Sequence, residues 1–193
     1  MQKHIFEIKI QTSVCLMFFL RIKVLMLRIR YEAQETVKLV GAKIMASRQF
    51  QEADLQTHHH VTTVARHSFR VACICFCICH FLYVVFKIRT NWQLLIVCAL
   101  LHDLGIIGRH FKYASNSECY TKHPEDSVDI ADSLLGGLDD TARDIIGNHM
   151  WPVTPTRPRT IEGFIITVAD KYSAMTDFMP MNHRQMLVEA AIL

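Results

Sequence analysis

The sequence predicts an all-α protein, a single-domain helical bundle, on three observations. Apolar residues recur at three- and four-residue steps, as Val37, Val40, Ile44 and Met45 do, which is the period of one helix face. Breakers stand between the apolar stretches: Gly105 and Gly108, Gly136-Gly137, and the three prolines of "WPVTPTRPR". Neither an internal repeat nor a linker divides the chain, and its 193 residues, 51% of them hydrophobic, suffice for one good-sized core.

Six or seven helices follow in order, with the domain taken as residues 31–193. The first runs from about Tyr31 to Asp54. "QTHHHVTT", residues 56–63, interrupts it. A long helix spans about Thr63 to Lys87, and the next runs from Trp92 to about Leu104, where Gly105 and Gly108 break it. "RHFKYASNSECYTKH" is polar and predicts a loop. Pro124 with Glu125 and Asp126 predicts a first helical turn, where proline and acids are favoured. That helix stops at Gly136-Gly137. Asp139 or Asp140 caps the next one, which reaches His149. The proline-rich loop leads to a helix from Thr160 through Phe178, and a last helical segment begins at about Asn182.

Residues 1–30 are set apart as an N-terminal segment. Their longest uncharged run, Ile10 to Leu20, is too short to span a bilayer, and no small-residue cleavage site follows it. Two readings stand: an amphipathic surface segment, or an extension upstream of Met26 or Met45.

"VACICFCICHFLYVVF", residues 71–86, carries four cysteines in seven residues and no formal charge. On a helix, Cys73 and Cys77 share one face and Cys75 and Cys79 a nearly opposite one, at about 100° per residue. Four thiolates then cannot converge on one ion. The stretch is expected to pack as a buried central helix with its cysteines as small hydrophobes. Its sixteen uncharged residues fall short of the ~20 of a membrane span, so no membrane partner is expected. His80 within it needs a partner if buried. The seven cysteines are read as reduced thiols in a cytoplasmic protein. A net charge of +3 gives no reason to expect a nucleic-acid partner.

The polar residues at the ends of apolar helices carry the chemistry. His67 stands in "VARHSFRVA", His102 and Asp103 in "ALLHDLG", and Asp170 in "ITVADKYSAM". Imidazoles and carboxylates brought together in this way suit a divalent cation such as Mn²⁺, Fe²⁺, Co²⁺, Ni²⁺ or Zn²⁺, with Mg²⁺ a further candidate. The order His67, His102-Asp103, Asp170, with "HSFRVA", "ALLHDLG" and "VADKYSAM" around it, resembles the HD superfamily of metal-dependent phosphohydrolases over roughly residues 58–178. The resemblance implies an HD-domain helical bundle, a metal held by His67, His102, Asp103 and Asp170, and catalysis centred on His102 and Asp103. Water activated by the metal would then hydrolyse a phosphoester of a nucleotide or another small phosphometabolite. The alternative is a regulatory module that binds metal and nucleotide without cleaving.

His123, in "KHPEDSVDIA", and His149, in "GNHMWPVTP", resemble the second-metal histidines of the HD-GYP branch. "HMWPVTP" departs from that branch's Gly-Tyr-Pro signature and looks more like an uncharacterised bacterial branch. The two histidines take either a second-metal or substrate role, or they cap and pack helix ends. Arg109, His110 and Lys112 are candidate phosphate contacts or an ordinary basic loop. Lys171 is the further candidate, although a helix turns it ~100° away from Asp170. Glu118 is the nearest acid after the HD pair. His58, His59 and His60 are expected to be a solvated loop, with substrate contact the alternative.

Overall fold

The long apolar stretch folds as a helix because both of its ends are closed. In the computed structural model, which describes residues 25–58 and 62–177, α4 is Val64–Phe86. The Thr63 hydroxyl accepts from the Arg66 N–H at 3.2 Å, satisfying a donor that a first turn leaves open. Lys87 ends the helix in the left-handed conformation. Asn91 caps α5, Trp92–Leu101, by accepting from the Leu94 N–H at 3.2 Å. The Asn91 N–H donates to Glu162 Oε1 at 2.7 Å, which ties the start of α5 to that of α9, Ile161–Asp177. Helices α4, α5 and α9 pack on one another.

The chain divides into two compact units. One comprises residues 1–32 and 179–193, of which 25–32 are described, as helix; the other is Ala33–Phe178. The larger unit begins within α1 (residues 25–40) and continues through α2, Ala42–Met45, and α3, Arg48–Leu55. A two-strand hairpin follows, β1 (Thr57–His58) against β2 (Thr62–Thr63), pairing Thr57 with Thr63 and His58 with Thr62. After α5 come a 3-10 turn, Leu104–Ile106, then α6, Arg109–Lys112, α7, Asn116–Leu135, and α8, Asp140–Gly147. The all-α class predicted from the sequence is the observed one. The expected segment from Asn182 and most of the N-terminal segment lie outside the described residues.

Three local expectations are corrected. The polar stretch after Gly108 is helical at Arg109–Lys112 and again from Asn116, where Ser115 and Glu118 form a reciprocal cap. The Ser115 hydroxyl accepts from the Glu118 N–H at 3.1 Å, and Glu118 Oε2 accepts from the Ala114 N–H at 2.7 Å. Pro124 therefore lies inside α7 rather than in its first turn. The helix α8 closes at Gly147, so His149 stands in the turn beyond it. The third correction concerns burial. The helix enclosed on all sides is α5, where Leu95, Ile96, Cys98, Ala99, Leu100 and Leu101 are fully buried. On α4 the first half is buried, with Cys75 and Cys79 in the core and Cys73 and Cys77 at its margin. Phe81, Tyr83, Val84, Val85 and Phe86 are each at least half exposed. His80 is half-buried beside Phe76, at a cavity also lined by Tyr83, Arg89 and Trp92, so it needs no core partner.

Gly105 brings α7 up to the end of α5. A Cβ there would stand 2.2 Å from the His123 carbonyl oxygen, a backbone atom, so only glycine permits the approach. The Gly105 N–H donates to Ser127 Oγ at 2.9 Å, and α7 is thereby keyed to the 3-10 turn. On the other side, the buried Asp144 carboxylate accepts from the Arg159 N–H at 2.8 Å, Arg159 Nε at 2.9 Å and Asn148 Nδ2 at 2.9 Å. These bonds close the proline-rich loop at its two ends and fix the turn that carries His149.

Candidate metal centre

Five segments send their polar residues to one place. His67 comes from the first turns of α4, His102 and Asp103 from the end of α5, and His123 from mid-α7. The turn after α8 supplies His149 and α9 supplies Asp170. All six are buried. Adjacent residues diverge on a helix, but α5 ends at Leu101 and Asp103 leaves helical geometry (φ −110°, ψ 7°), which lets His102 and Asp103 turn to the same point.

The two oxygens of Asp103 divide the cluster. Oδ2 lies 3.3 Å from His102 Nε2 and 3.6 Å from His67 Nε2. Asp170 Oδ1 completes that group, 2.9 Å from His67 Nε2 and 3.7 Å from His102 Nε2. Oδ1 of Asp103 faces the other way, 3.2 Å from His123 Nε2 and 3.5 Å from His149 Nε2. Each group keeps its ligand atoms within 4.8 Å of one another. His123 and His149 were open between a functional and a packing role in sequence; here they converge on the same carboxylate.

The donor chemistry fits cations. The Nδ1 atoms of His102, His123 and His149 lie 2.8, 2.7 and 2.7 Å from the carbonyls of Ala99, Cys119 and Ile146. A carbonyl only accepts, so Nδ1 carries the hydrogen and the neutral ring presents an Nε2 lone pair to the centre. Nε2 of His102 is buried without a hydrogen bond among the described residues. Those of His123 and His149 face each other at 3.1 Å. Two lone pairs at that distance repel unless a proton or a cation joins them.

The charges point the same way. Burial works against ionised Asp103, but His102, His123 and His149 outweigh it and hold the carboxyl well below its usual range. Burial likewise opposes ionised Asp170, and His102 and His67 overcome it. Burial also disfavours a charged His67, yet Asp170, Asp177 and Asp103 raise it to about 9. Burial pushes His149 down. His102 is raised too, by Asp103 and Asp170 against its burial, so without a metal His67 and His102 are the rings that supply positive charge between the carboxylates.

The family described as HD domain matches residues 64–175 of the chain. The chain belongs to the HD-domain family. No curated protein and no solved structure matches it. HD domains are mostly metal-dependent hydrolases, and the buried His/Asp cluster of this one can hold a divalent metal.

Around this HD-domain centre the other predicted residues separate. Lys171 turns toward it after all: Nζ donates to the His149 carbonyl at 3.2 Å and stands 3.8 Å from Asp170 Oδ2. The long side chain reaches back past the 100° offset that its backbone position imposes. Burial lowers its pKa. Lys112 is committed to the Gly105 carbonyl at 3.2 Å and to Asp126 at 3.8 Å. Arg109 is half-buried, with Nε unbonded among the described residues, while His110 is exposed. Glu118 is used in the α7 cap and in a pair with Lys122 at 2.7 Å. His58 is a correction: it is buried on β1, 3.8 Å from Asp103 Oδ2, with its ring 4.4 Å from that of His67. The hairpin folds it inward over the start of α4. His59 and His60 lie outside the described residues. Arg70, Ser173 and Asp177 went unread. Their signal was helical spacing: Arg70 one turn after His67, and Ser173 and Asp177 one and two turns after Asp170.

Proposed function

We propose that this HD-domain protein is a metal-dependent phosphohydrolase that cleaves the phosphoester of a nucleotide or another small phosphometabolite. The observation that carries this reading is the Asp103 carboxylate shared between two converging groups of donors. That arrangement suits a pair of cations acting on one phosphoryl group. His67, His102, Asp103 and Asp170 would hold one divalent ion, and Asp103, His123 and His149 a second. Among Mn²⁺, Fe²⁺, Co²⁺, Ni²⁺, Zn²⁺ and Mg²⁺, four imidazoles favour the transition metals. When bound, such ions make water a nucleophile near neutral pH and neutralise phosphoryl oxygens.

The remaining work falls to the chain. Two buried carboxylates would hold the ions in place: Asp103 divides its oxygens between the two histidine groups, and Asp170 turns Oδ1 to His67 and His102. Lys171, half-buried at the rim, donates a charge-assisted hydrogen bond to a phosphate oxygen. Its present acceptor, the His149 carbonyl, is the weaker partner. His58 lines the same side as Asp103 Oδ2 and contacts the substrate there. No acid between Leu104 and Ser117 is available to protonate a leaving group, so a substrate with a good leaving group is favoured.

The test is a panel of mononucleotides, deoxynucleoside triphosphates and cyclic nucleotides, assayed for phosphate or ester release with and without Mn²⁺. The wild type hydrolyses at least one class in the presence of Mn²⁺, and Asp103→Ala abolishes both metal uptake and turnover. Full metal-stimulated turnover by Asp103→Ala would refute the assignment.

A further inference from the structure

His67 differs from the other histidines of the centre in what its far nitrogen meets. Those of His102, His123 and His149 each face a carbonyl of their own segment. Nδ1 of His67 faces α9, with Ser173 Oγ at 3.4 Å and Asp177 Oδ2 at 3.9 Å. Arg70 seats both of these groups. Its Nε donates to Ser173 Oγ at 2.7 Å, and Nη2 donates to the Ser173 carbonyl at 3.3 Å and to Asp177 Oδ2 at 2.5 Å. The Asp177 side chain is fully buried. The spacing of Asp170, Ser173 and Asp177 puts all three on one face of α9.

Both groups behind Nδ1 offer acceptors. The serine oxygen already takes a hydrogen from Arg70 and keeps another lone pair, and a carboxylate only accepts. Nε2 meets Asp170 Oδ1 at 2.9 Å, so without a metal a hydrogen stands there too; once a cation takes that place, the ring's remaining hydrogen sits on Nδ1, toward Asp177 and Ser173. A carboxylate behind a ligand imidazole fixes its orientation and raises its basicity. Behind the rings of the second group stand the carbonyls of Cys119 and Ile146, with no carboxylate there among the described residues.

We propose that Asp177, seated by Arg70, is a positioning residue that orients His67. It makes the His67–His102–Asp103–Asp170 group bind its metal more tightly than the Asp103–His123–His149 group. The proposal rests on reading both groups as metal sites. Its test is calorimetric titration of the metal-free full chain with Mn²⁺, beside the Asp177→Asn and Arg70→Lys variants. The wild type shows unequal affinities. Asp177→Asn, which keeps shape and removes charge, weakens the tighter one by about 10–100-fold and leaves the weaker one unchanged. Arg70→Lys, which keeps charge but cannot grip both partners, shifts the same affinity in the same direction, and Asp177→Glu restores part of it. A loss confined to one affinity separates positioning from general destabilisation, which would weaken both. Wild-type affinities in a folded Asp177→Asn overturn the proposal. If that variant does not fold, wild-type affinities in Arg70→Lys do so instead. A wild type that takes up no Mn²⁺ refutes the metal reading of the whole centre, which is a different outcome.

Discussion

At the residue scale, the centre is a problem of charge. Two buried carboxylates sit among four imidazoles, and isolated charges at such a place are costly. The metal-free protein answers by protonating His67, whose pKa rises to about 9 despite its burial. Any ion that uses Nε2 of His67 must expel that proton. Below about pH 9 the proton competes, so Mn²⁺ affinity rises as pH rises from 7 to 9 and levels off above. Titration in buffers of different ionisation enthalpy reads the released proton directly. An affinity independent of pH over that range would mean that no proton leaves His67 on binding. The four residues of the HD pattern were legible in sequence because each breaks an apolar run at a helix end or on a helix face. His58 was not, since a polar "THHHVTT" stretch carries no sign that its hairpin folds inward. Asp177 was hidden for a similar reason, because its partner Arg70 lies 107 positions away in the chain.

At the scale of elements, close approach decides the geometry. The α7 backbone meets the turn after α5 at Gly105, where His123 is brought against Asp103. Gly105→Ala places a methyl against the His123 carbonyl and forces the two apart. The expected cost is ~1–3 kcal/mol or more, as for overpacking. It reads as a fall in thermal midpoint of roughly 2–4 °C per kcal/mol for a chain of this size. Circular dichroism melting checks it, and an unchanged midpoint would mean that α7 does not press on this turn. The glycines at 105 and 108 were readable as breakers, but only the packing shows that the first is also a contact. Residues 116–123 are helical although Pro124 reads in sequence as a helix start. The true start lay in Ser115 and Glu118, a serine with a glutamate three residues on, which is itself a sequence signal.

At the scale of the whole molecule, hydropathy reports what a segment resembles and not where it lies. Helix α4 has 23 residues and a stretch of mean hydropathy 2.2, enough by length and composition to cross a membrane. Its N-terminal half nevertheless carries His67 into the core and Arg70 to the core's margin, and its C-terminal end is an exposed apolar surface. The shorter α5 is the enclosed helix. Both scaffold helices run to the centre, so the unusual cysteines of α4 serve as packing between its first turns and its open end.

On the proposed function, the Asp103 carboxylate joins two metal-binding groups. Equilibrium dialysis against saturating Mn²⁺, followed by elemental analysis, tests it on the wild type, Asp103→Asn and His123→Ala. Two equivalents are expected in the wild type, one per donor group, with loss of both in folded Asp103→Asn and loss of one in His123→Ala. An Asp103→Asn protein that holds as much metal as the wild type would contradict it.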